Sequence, residues 1–318
     1  MDVAERYRRF VVREVRGHSA IYEETAERIA GDPELIAMIE ELPEAKRQPN
    51  LLLASVRFLG GPVGDYPAFR AWLLAHWDRV RATVLRHRTQ TNEAGRCAAL
   101  LPLLASLPQP LALIEVGASA GLCLYPDRYR YRYDGRPPLG PDDSPVCLPC
   151  RTSGPMPLPE RPPSVVWRAG VDLNPLDVRD AEQVRWLECL IWPEQTHRLD
   201  RLRAAVRVVR AEPPHLVRGD LNEKVRELVG RAPRDATPVV FHSAVLPYLS
   251  AGERDAFADT VRSLPGHWVS NESPGLLPSV EARLPRAVSA DRAVFALALD
   301  ERPVAFGGPH GQWLEWFG

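Results

Sequence analysis

A short run of small residues near the middle of the chain has the clearest chemical meaning in this sequence. Gly117, Ser119 and Gly121 follow the apolar run at residues 111–116. Only residues without bulk let the backbone turn sharply and approach a nucleotide closely. The spacing is that of a glycine-rich nucleotide loop in which serine replaces the middle glycine. It predicts a strand that turns into a helix whose N-terminus faces a ligand, although tight packing alone can also produce such a loop.

Aspartates follow two later apolar runs of the same kind. Asp172 ends the run at residues 164–171, and Asp220 follows the run at residues 215–218. A carboxylate at the carboxyl end of a strand can accept both hydroxyls of a ribose, and a second one can accept from the exocyclic amine of adenine. The alternative for each aspartate is an N-cap of the helix that follows, because aspartate is a preferred capping residue.

Two further predicted strands end in polar side chains. His242 lies in the run VVFHSAVLPYL, and Asn271 and Glu272 lie in SNESP. Histidine titrates near neutral pH, so His242 is the first candidate for a general base and Glu272 the second, while Asn271 is a candidate substrate contact. The alternative for His242 is a hydrogen-bonded core histidine. Open α/β sheets bind ligands at the carboxyl ends of their strands. The glycine-rich loop, Asp172, Asp220 and His242 follow four successive predicted strands and together favour a ligand site.

The polar segment at residues 88–93, RTQTNE, precedes a predicted helix. One interpretation is an N-terminal cap, for which Thr91 and Asn92 are suitable types. The other is a loop that reaches into the ligand site. Under the second interpretation, the candidates are Arg88, Gln90 and Asn92 for substrate contact and Glu93 for orienting the substrate or transferring a proton.

Hydrophobic periodicity predicts an α/β fold that positions these residues. Residues 1–93 have apolar positions three and four apart, which predicts a helical cap domain. In residues 94–318, short apolar runs alternate with helical segments, which predicts a Rossmann-like, doubly wound sheet. Turn residues near the end predict antiparallel C-terminal strands. An insertion rich in proline and glycine at about residues 125–163 is predicted to form a flap on the substrate side.

Composition excludes several classes of function. Forty basic and 41 acidic residues leave a net charge of -1, so no binding to nucleic acid is expected. No apolar run is long enough for a membrane span, and the first residues lack the apolar centre of a signal peptide. Five cysteines fit reduced thiols, so we expect a cytoplasmic protein. Cys147 and Cys150 have half of a zinc-site spacing without a second pair, which predicts incidental thiols and no metal site.

The order of these motifs resembles the class I S-adenosylmethionine-dependent methyltransferases over residues 94–318. EVGASAG is similar to the first motif of that group, GVDLNP to the second, RGDL to the third and VVFHSAVLPYL to the fourth. Nearly the whole chain is also similar to an uncharacterised, mainly actinobacterial family of bacterial proteins of unknown function. Serine at position 119, where glycine is usual, and the long separation between Glu115 and Asp172 depart from the methyltransferase pattern.

The resemblance implies S-adenosylmethionine as cofactor and methyl transfer to an unidentified small molecule or protein side chain. The alternatives are a methyltransferase-like protein that binds the cofactor without catalysis, and a nicotinamide-dependent oxidoreductase. The residues implied to contact the cofactor are Glu115, Gly117, Ser119 and Gly121 at the methionine part, Asp172 at the ribose and Asp220 at the adenine, with His242 beside the methyl group. The sequence specifies neither the methyl acceptor nor the oligomeric state.

Overall fold

The structure is a computed structural model, and it describes residues 1–90, 92–288 and 293–318. The α-helices in this part of the chain are α1 (Val3–Phe10), α2 (Ala20–Ala30), α3 (Pro33–Glu40), α4 (Pro49–Phe58), α5 (Tyr66–Ala75), α6 (Trp77–Arg86), α7 (Cys97–Ser106), α8 (Ala181–Leu190), α9 (Thr196–Ala211), α10 (Leu221–Gly230), α11 (Ala251–Arg262) and α12 (Pro278–Glu281). The strands are β1 (Leu111–Val116), β2 (Arg130–Tyr133), β3 (Cys147–Ser153), β4 (Val165–Asp172), β5 (His215–Arg218), β6 (Thr237–Ser243), β7 (His267–Glu272), β8 (Phe295–Leu299), β9 (Arg302–Gly307) and β10 (Trp313–Trp316). Among these helices, none has the length and apolar character that a membrane span requires.

The chain divides into two compact units. The first contains Met1–Thr91 together with Arg179–Asp200, and the second contains Asn92–Val178 together with Arg201–Gly318. The described part of the first unit contains helices α1 to α6 and α8. It also takes in a later segment that the sequence pattern assigned to the α/β region. The reason is packing, since Trp186 and Cys189 of α8 belong to the same buried apolar cluster as the N-terminal helices.

The second unit contains a mixed sheet whose order, over the described strands, is β2-β3-β10-β9-β8-β7-β6-β1-β4-β5. The five strands from β7 to β5 in that order are parallel to their neighbours. Strands β8 and β9 continue the sheet in antiparallel pairs, and β10 pairs antiparallel with β9. The fold is therefore mixed α/β, with the antiparallel C-terminal strands that the turn residues predicted.

The helix predicted directly after the glycine-rich loop does not form. A three-residue 3-10 turn, Leu122–Leu124, follows the loop instead. Tyr125, Tyr129 and Tyr131 come soon after this turn and are completely buried. Because these large side chains turn inward, the segment packs into the core where the sequence pattern predicted a crossover helix.

The insertion at residues 125–163 also differs from the predicted flap. It supplies β2 and β3, which pair in parallel with each other, and β3 pairs in parallel with β10. The insertion therefore extends one edge of the sheet, at the end of the strand order opposite to β5. Alternating burial along β2, with Tyr131 and Tyr133 buried and Arg132 exposed, is the pattern expected of a strand with one covered face.

Candidate functional site

The loop between β1 and the 3-10 turn is held in a conformation that requires small residues. Gly117, Ser119 and Gly121 have φ angles of 74°, 50° and 70°. A Cβ atom on Gly117 would lie 2.5 Å from Cγ2 of Val245, so glycine is required there by space as well as by angle. Ser119 is a non-glycine residue in the left-handed region, which costs of order 1–3 kcal/mol.

A second strained residue lies at the end of the neighbouring strand. Ala244 follows β6 and has a φ angle of 58°. Strands β1 and β6 pair in parallel, with Glu115 opposite Phe241, so Ser119 and Ala244 both follow the carboxyl ends of adjacent strands. Backbone strain of this kind clusters at functional sites, which supports the predicted position of the site.

Three backbone N–H groups of the loop bond to backbone carbonyls. The N–H groups of Gly117 and Ala118 donate to the carbonyl oxygen of Val171 at 2.8 and 3.1 Å, and that of Gly121 donates to the carbonyl oxygen of Ala118 at 2.6 Å. The first two bonds attach the loop to the end of β4, and the third closes a turn within the loop. The three donors are therefore engaged within the protein.

The remaining two N–H groups of the loop bond to side chains. The N–H of Ser119 donates to Oδ2 of Asp172 at 2.8 Å, and the N–H of Ala120 donates to Oδ1 of Asn92 at 2.8 Å. Asn92 also donates from Nδ2 to Oγ of Ser119 at 2.6 Å, and Oδ1 of Asp172 accepts from the N–H of Asn174 at 2.7 Å. All five N–H groups of residues 117–121 thus have partners, so this loop is not an open cradle for a phosphate.

Glu115, the last but one residue of β1, contrasts with the satisfied loop. Its side chain is buried, and its Oε2 atom has no hydrogen-bond partner in the part of the chain that the structure describes. Burial raises the pKa of Glu115 well above its usual range; the neighbouring Cys123 and Asp172 raise it further, whereas Arg96 lowers it. A buried acceptor without a donor is costly, so Glu115 is the side chain at this strand end whose hydrogen-bonding capacity remains for a ligand.

His242 lies on the other face of the sheet. Phe241 is the register partner of Glu115, and side chains alternate between faces along a strand, so His242 points away from Glu115. It is completely buried and packs against the rings of Phe257 and Trp268. The predicted base therefore lies among core residues.

Both ring nitrogens of His242 are engaged. The indole N–H of Trp268 donates to Nε2 of His242 at 3.0 Å, and Nδ1 lies 2.7 Å from Oε1 of Glu272. An indole N–H can only donate, so Nε2 accepts and Nδ1 carries the proton that is donated to Glu272. The same Oε1 also accepts from the N–H groups of Val245 and Leu246. This geometry favours the core alternative for His242 over general-base catalysis, and it gives Glu272 a structural partner.

The comparisons with known proteins identify a family. A family model described as an uncharacterized protein conserved in bacteria (DUF2332) matches residues 4–316. The chain belongs to this bacterial family. No curated protein and no solved structure matches the chain. Within this family member, the remaining predicted residues divide into those that reach the loop and those that serve the fold.

Asn92 reaches the loop and Glu93 does not. Oε1 of Glu93 accepts from the N–H of Gly95 at 3.0 Å and from Nε of Arg201 at 2.8 Å, and the Glu93 side chain is buried. Glu93 therefore caps the 3-10 turn at Ala94–Arg96, where Thr91 or Asn92 was the predicted cap, and the interpretation of this segment as part of a ligand site stays a prediction. Thr91 lies outside the described residues.

The three other predicted substrate contacts differ in burial and in the compact unit to which they belong. Arg88 is exposed and Gln90 half-buried, and both belong to the first compact unit. Asn271 is buried and donates from Nδ2 to Oγ of Ser243 at 2.8 Å. The register pairs Asn271 with Ser243, two positions after Phe241, which places Asn271 on the same face of the sheet as Glu115.

Asp220 caps a helix, and the two cysteines of β3 differ in burial. Oδ1 of Asp220 accepts from the N–H of Asn222 at 2.8 Å and caps α10, which is the capping alternative. Cys147 is exposed and Cys150 is buried, and both thiols are free. Burial raises the pKa of Cys150 to about 12, so its thiolate is not available at neutral pH.

Arg96 is a component of the site that the sequence pattern did not reveal. It is buried, and it donates from Nη1 to the carbonyl oxygen of Ser243 at 3.0 Å and from Nε to that of Pro309 at 2.9 Å. One feature of the sequence indicates that Arg96 is buried: it is a lone arginine between Gly95 and the apolar run at residues 97–104. Buried arginines are rare unless their donors are satisfied, and this one brings positive charge near Glu115.

Proposed function

We propose that this protein binds S-adenosylmethionine at the carboxyl ends of β1 and β4 and transfers its methyl group to a small molecule or a protein side chain. The observation that carries the proposal is the contrast within the site. The N–H groups of the loop are satisfied internally, whereas the buried Oε2 atom of Glu115 has no hydrogen-bond partner among the described residues. Such a site suits a ligand that brings hydrogen-bond donors or positive charge and no phosphate.

S-adenosylmethionine fits that description, because it carries a sulfonium and an ammonium group and no phosphate. Dinucleotides are bound through free backbone N–H groups of a glycine-rich loop and through the N-terminus of the helix that follows. Here the loop donors are occupied and a 3-10 turn follows the loop. These contacts argue against the nicotinamide alternative.

The strand order supports a Rossmann-like assignment for this part of the sheet. The parallel strands run β5-β4-β1-β6-β7, so the chain adds strands on one side of β1 and then on the other. Ligands of open α/β sheets bind where the strand order reverses, and here that point is the end of β1. Glu115 and the residue 117–121 loop lie at that point.

The chemistry asked of the protein is mainly alignment. Methyl transfer from a sulfonium is a direct displacement, and holding donor and acceptor in line can supply much of the rate enhancement. In this proposal Glu115 and Asp172 hold the cofactor, Asn92 fixes the loop, and Asn271 faces the acceptor. An acceptor whose proton is lost to solvent after attack needs no residue acting as a base.

A second candidate is a methyltransferase-like protein that binds the cofactor without turning it over. The observation that favours it is the engagement of His242, whose two ring nitrogens both have partners in the core. The same ligand would bind, and only the chemical step would be missing. Incorporation of a labelled methyl group into a cell extract of a bacterial host would distinguish the two candidates.

Thermal unfolding in the presence of candidate ligands tests the proposal. We expect S-adenosylmethionine and S-adenosylhomocysteine to raise the midpoint temperature, because a ligand at 100 times its dissociation constant adds about 2.7 kcal/mol to the stability of the native state. NAD at the same concentration should have no effect. Stabilisation by NAD alone would reject the proposal.

A further inference from the structure

The Glu115 side chain is enclosed by groups that do not neutralise it. It is 6% exposed, and among the described residues its buried Oε2 atom has no donor. Oε2 of Glu272, on the opposite face, is also buried without a partner, but Oε1 of Glu272 accepts from His242 and from two backbone N–H groups. The described part of the chain supplies Glu115 with no comparable set of donors, so its ionised form is poorly stabilised in the ligand-free protein.

The charged and titratable groups around Glu115 do not remove the free-energy cost of ionising its buried carboxyl group. The positive charge of Arg96 lowers the pKa of Glu115, but the Nε and Nη1 groups of Arg96 donate to backbone carbonyls. Asp172 and Cys123 oppose ionisation, and the side chains of Cys97 and Tyr129 are also close enough to interact with Glu115. The surroundings therefore favour the neutral carboxylic acid over the carboxylate.

We propose that Glu115 selects ligands that carry a positive charge and releases a proton to solvent when such a ligand binds. The O–H bond of the carboxylic acid breaks, the proton passes to the buffer, and the resulting carboxylate pairs with the cationic group of the ligand. The small exposed fraction of Glu115, next to the 117–121 loop, is where the ligand would reach it. This inference rests on the proposed function for the identity of the ligand.

The coupling between ligand binding and proton release makes the ligand affinity depend on pH. Below the pKa of Glu115 in the free protein and above its pKa in the complex, each binding event releases one proton, so affinity rises up to tenfold for each unit of pH. Above the pKa of the free protein, affinity no longer changes with pH. A ligand that places no positive charge at Glu115 should show no such slope.

Calorimetric titration with S-adenosylmethionine and with S-adenosylhomocysteine, in buffers of different ionisation enthalpy, counts the protons released. We expect up to one proton for S-adenosylmethionine in the wild type and none in Glu115→Gln, whereas Glu227→Gln on the exposed surface of α10 should behave like the wild type. Release with both compounds would assign the ammonium as the partner of Glu115, and release with S-adenosylmethionine alone would assign the sulfonium. Binding of both compounds without proton release would overturn the inference and leave the proposed function standing.

Unfolding of the ligand-free protein gives a second and independent test. The folded-state pKa of Glu115 is raised, so the stability that the neutral acid contributes is fully present below the usual carboxyl pKa and is lost as pH rises toward the folded-state pKa. Glu115→Gln should therefore gain stability over the wild type as pH rises from 5 to 9. If the difference in free energy of unfolding between Glu115→Gln and the wild type did not change with pH, the inference would be overturned whether or not a ligand binds. Failure of both adenosyl compounds to bind, with the pH-dependent difference present, would reject the proposed function but not the neutral state of Glu115.

Discussion

Replacing His242 with alanine is expected to lower the free energy of unfolding by about 3–5 kcal/mol and to leave the affinity for an adenosyl ligand unchanged. The imidazole is completely buried, so its removal leaves a cavity. It also leaves the indole N–H of Trp268 without an acceptor and removes a donor from Glu272. Urea unfolding and calorimetric titration of the same protein preparation measure the two quantities.

His215 offers the matched control for this variant. It lies in β5 and its side chain is exposed, so His215→Ala should change stability by no more than about 0.5 kcal/mol. If His242→Ala were as stable as His215→Ala but lost methyl transfer, His242 would be catalytic, as the sequence pattern first predicted.

Replacing Asp172 with alanine should have the largest combined effect on stability and binding. Its two carboxylate oxygens accept from the N–H groups of Ser119 and Asn174, and each bond to a charged acceptor contributes about 1.5–3 kcal/mol. Without them the strained loop loses its attachment to β4. We expect a loss of about 2–4 kcal/mol in stability and at least a tenfold loss of affinity for S-adenosylhomocysteine.

Asp220→Ala is the comparison for Asp172→Ala, because Asp220 also follows a strand but makes one capping bond. Loss of an N-cap costs about 1 kcal/mol. A tenfold loss of affinity in Asp220→Ala would support the predicted adenine contact, whereas unchanged affinity would leave Asp220 as a cap. If Asp172→Ala lowered stability but kept full affinity, the ribose role of Asp172 would be rejected.

The parts of the fold that the sequence predicted are those encoded by local periodicity. The apolar runs that became β1, β4, β6 and β7 are short, and each is followed by a polar or small residue, which is enough to place their carboxyl ends. The position of residues 179–200 was missed for a different reason. Trp186 and Cys189 pack among helices more than a hundred residues earlier in the chain, and no local pattern records such a contact.

The strand ends that carry the candidate site follow from the sequence, whereas their side-chain contacts follow from it only in part. Gly117, Ser119 and Asp172 were identified because residue type restricts what can occupy a strained turn or a strand end. The link from Asn92 to Ser119, at 2.6 Å, depends on where a distant polar segment is held. For His242 the sequence gives a strand-end histidine, but which face it occupies depends on the register of β6 against β1. A shift of one residue would have turned it toward Glu115.

The most direct test of the account is calorimetric titration of the purified protein with S-adenosylhomocysteine. The site geometry predicts binding at micromolar affinity that falls at least tenfold in Asp172→Ala. An absence of heat at high ligand concentration, with the protein shown to be folded by its unfolding transition, would contradict the proposal that this loop holds an adenosyl cofactor.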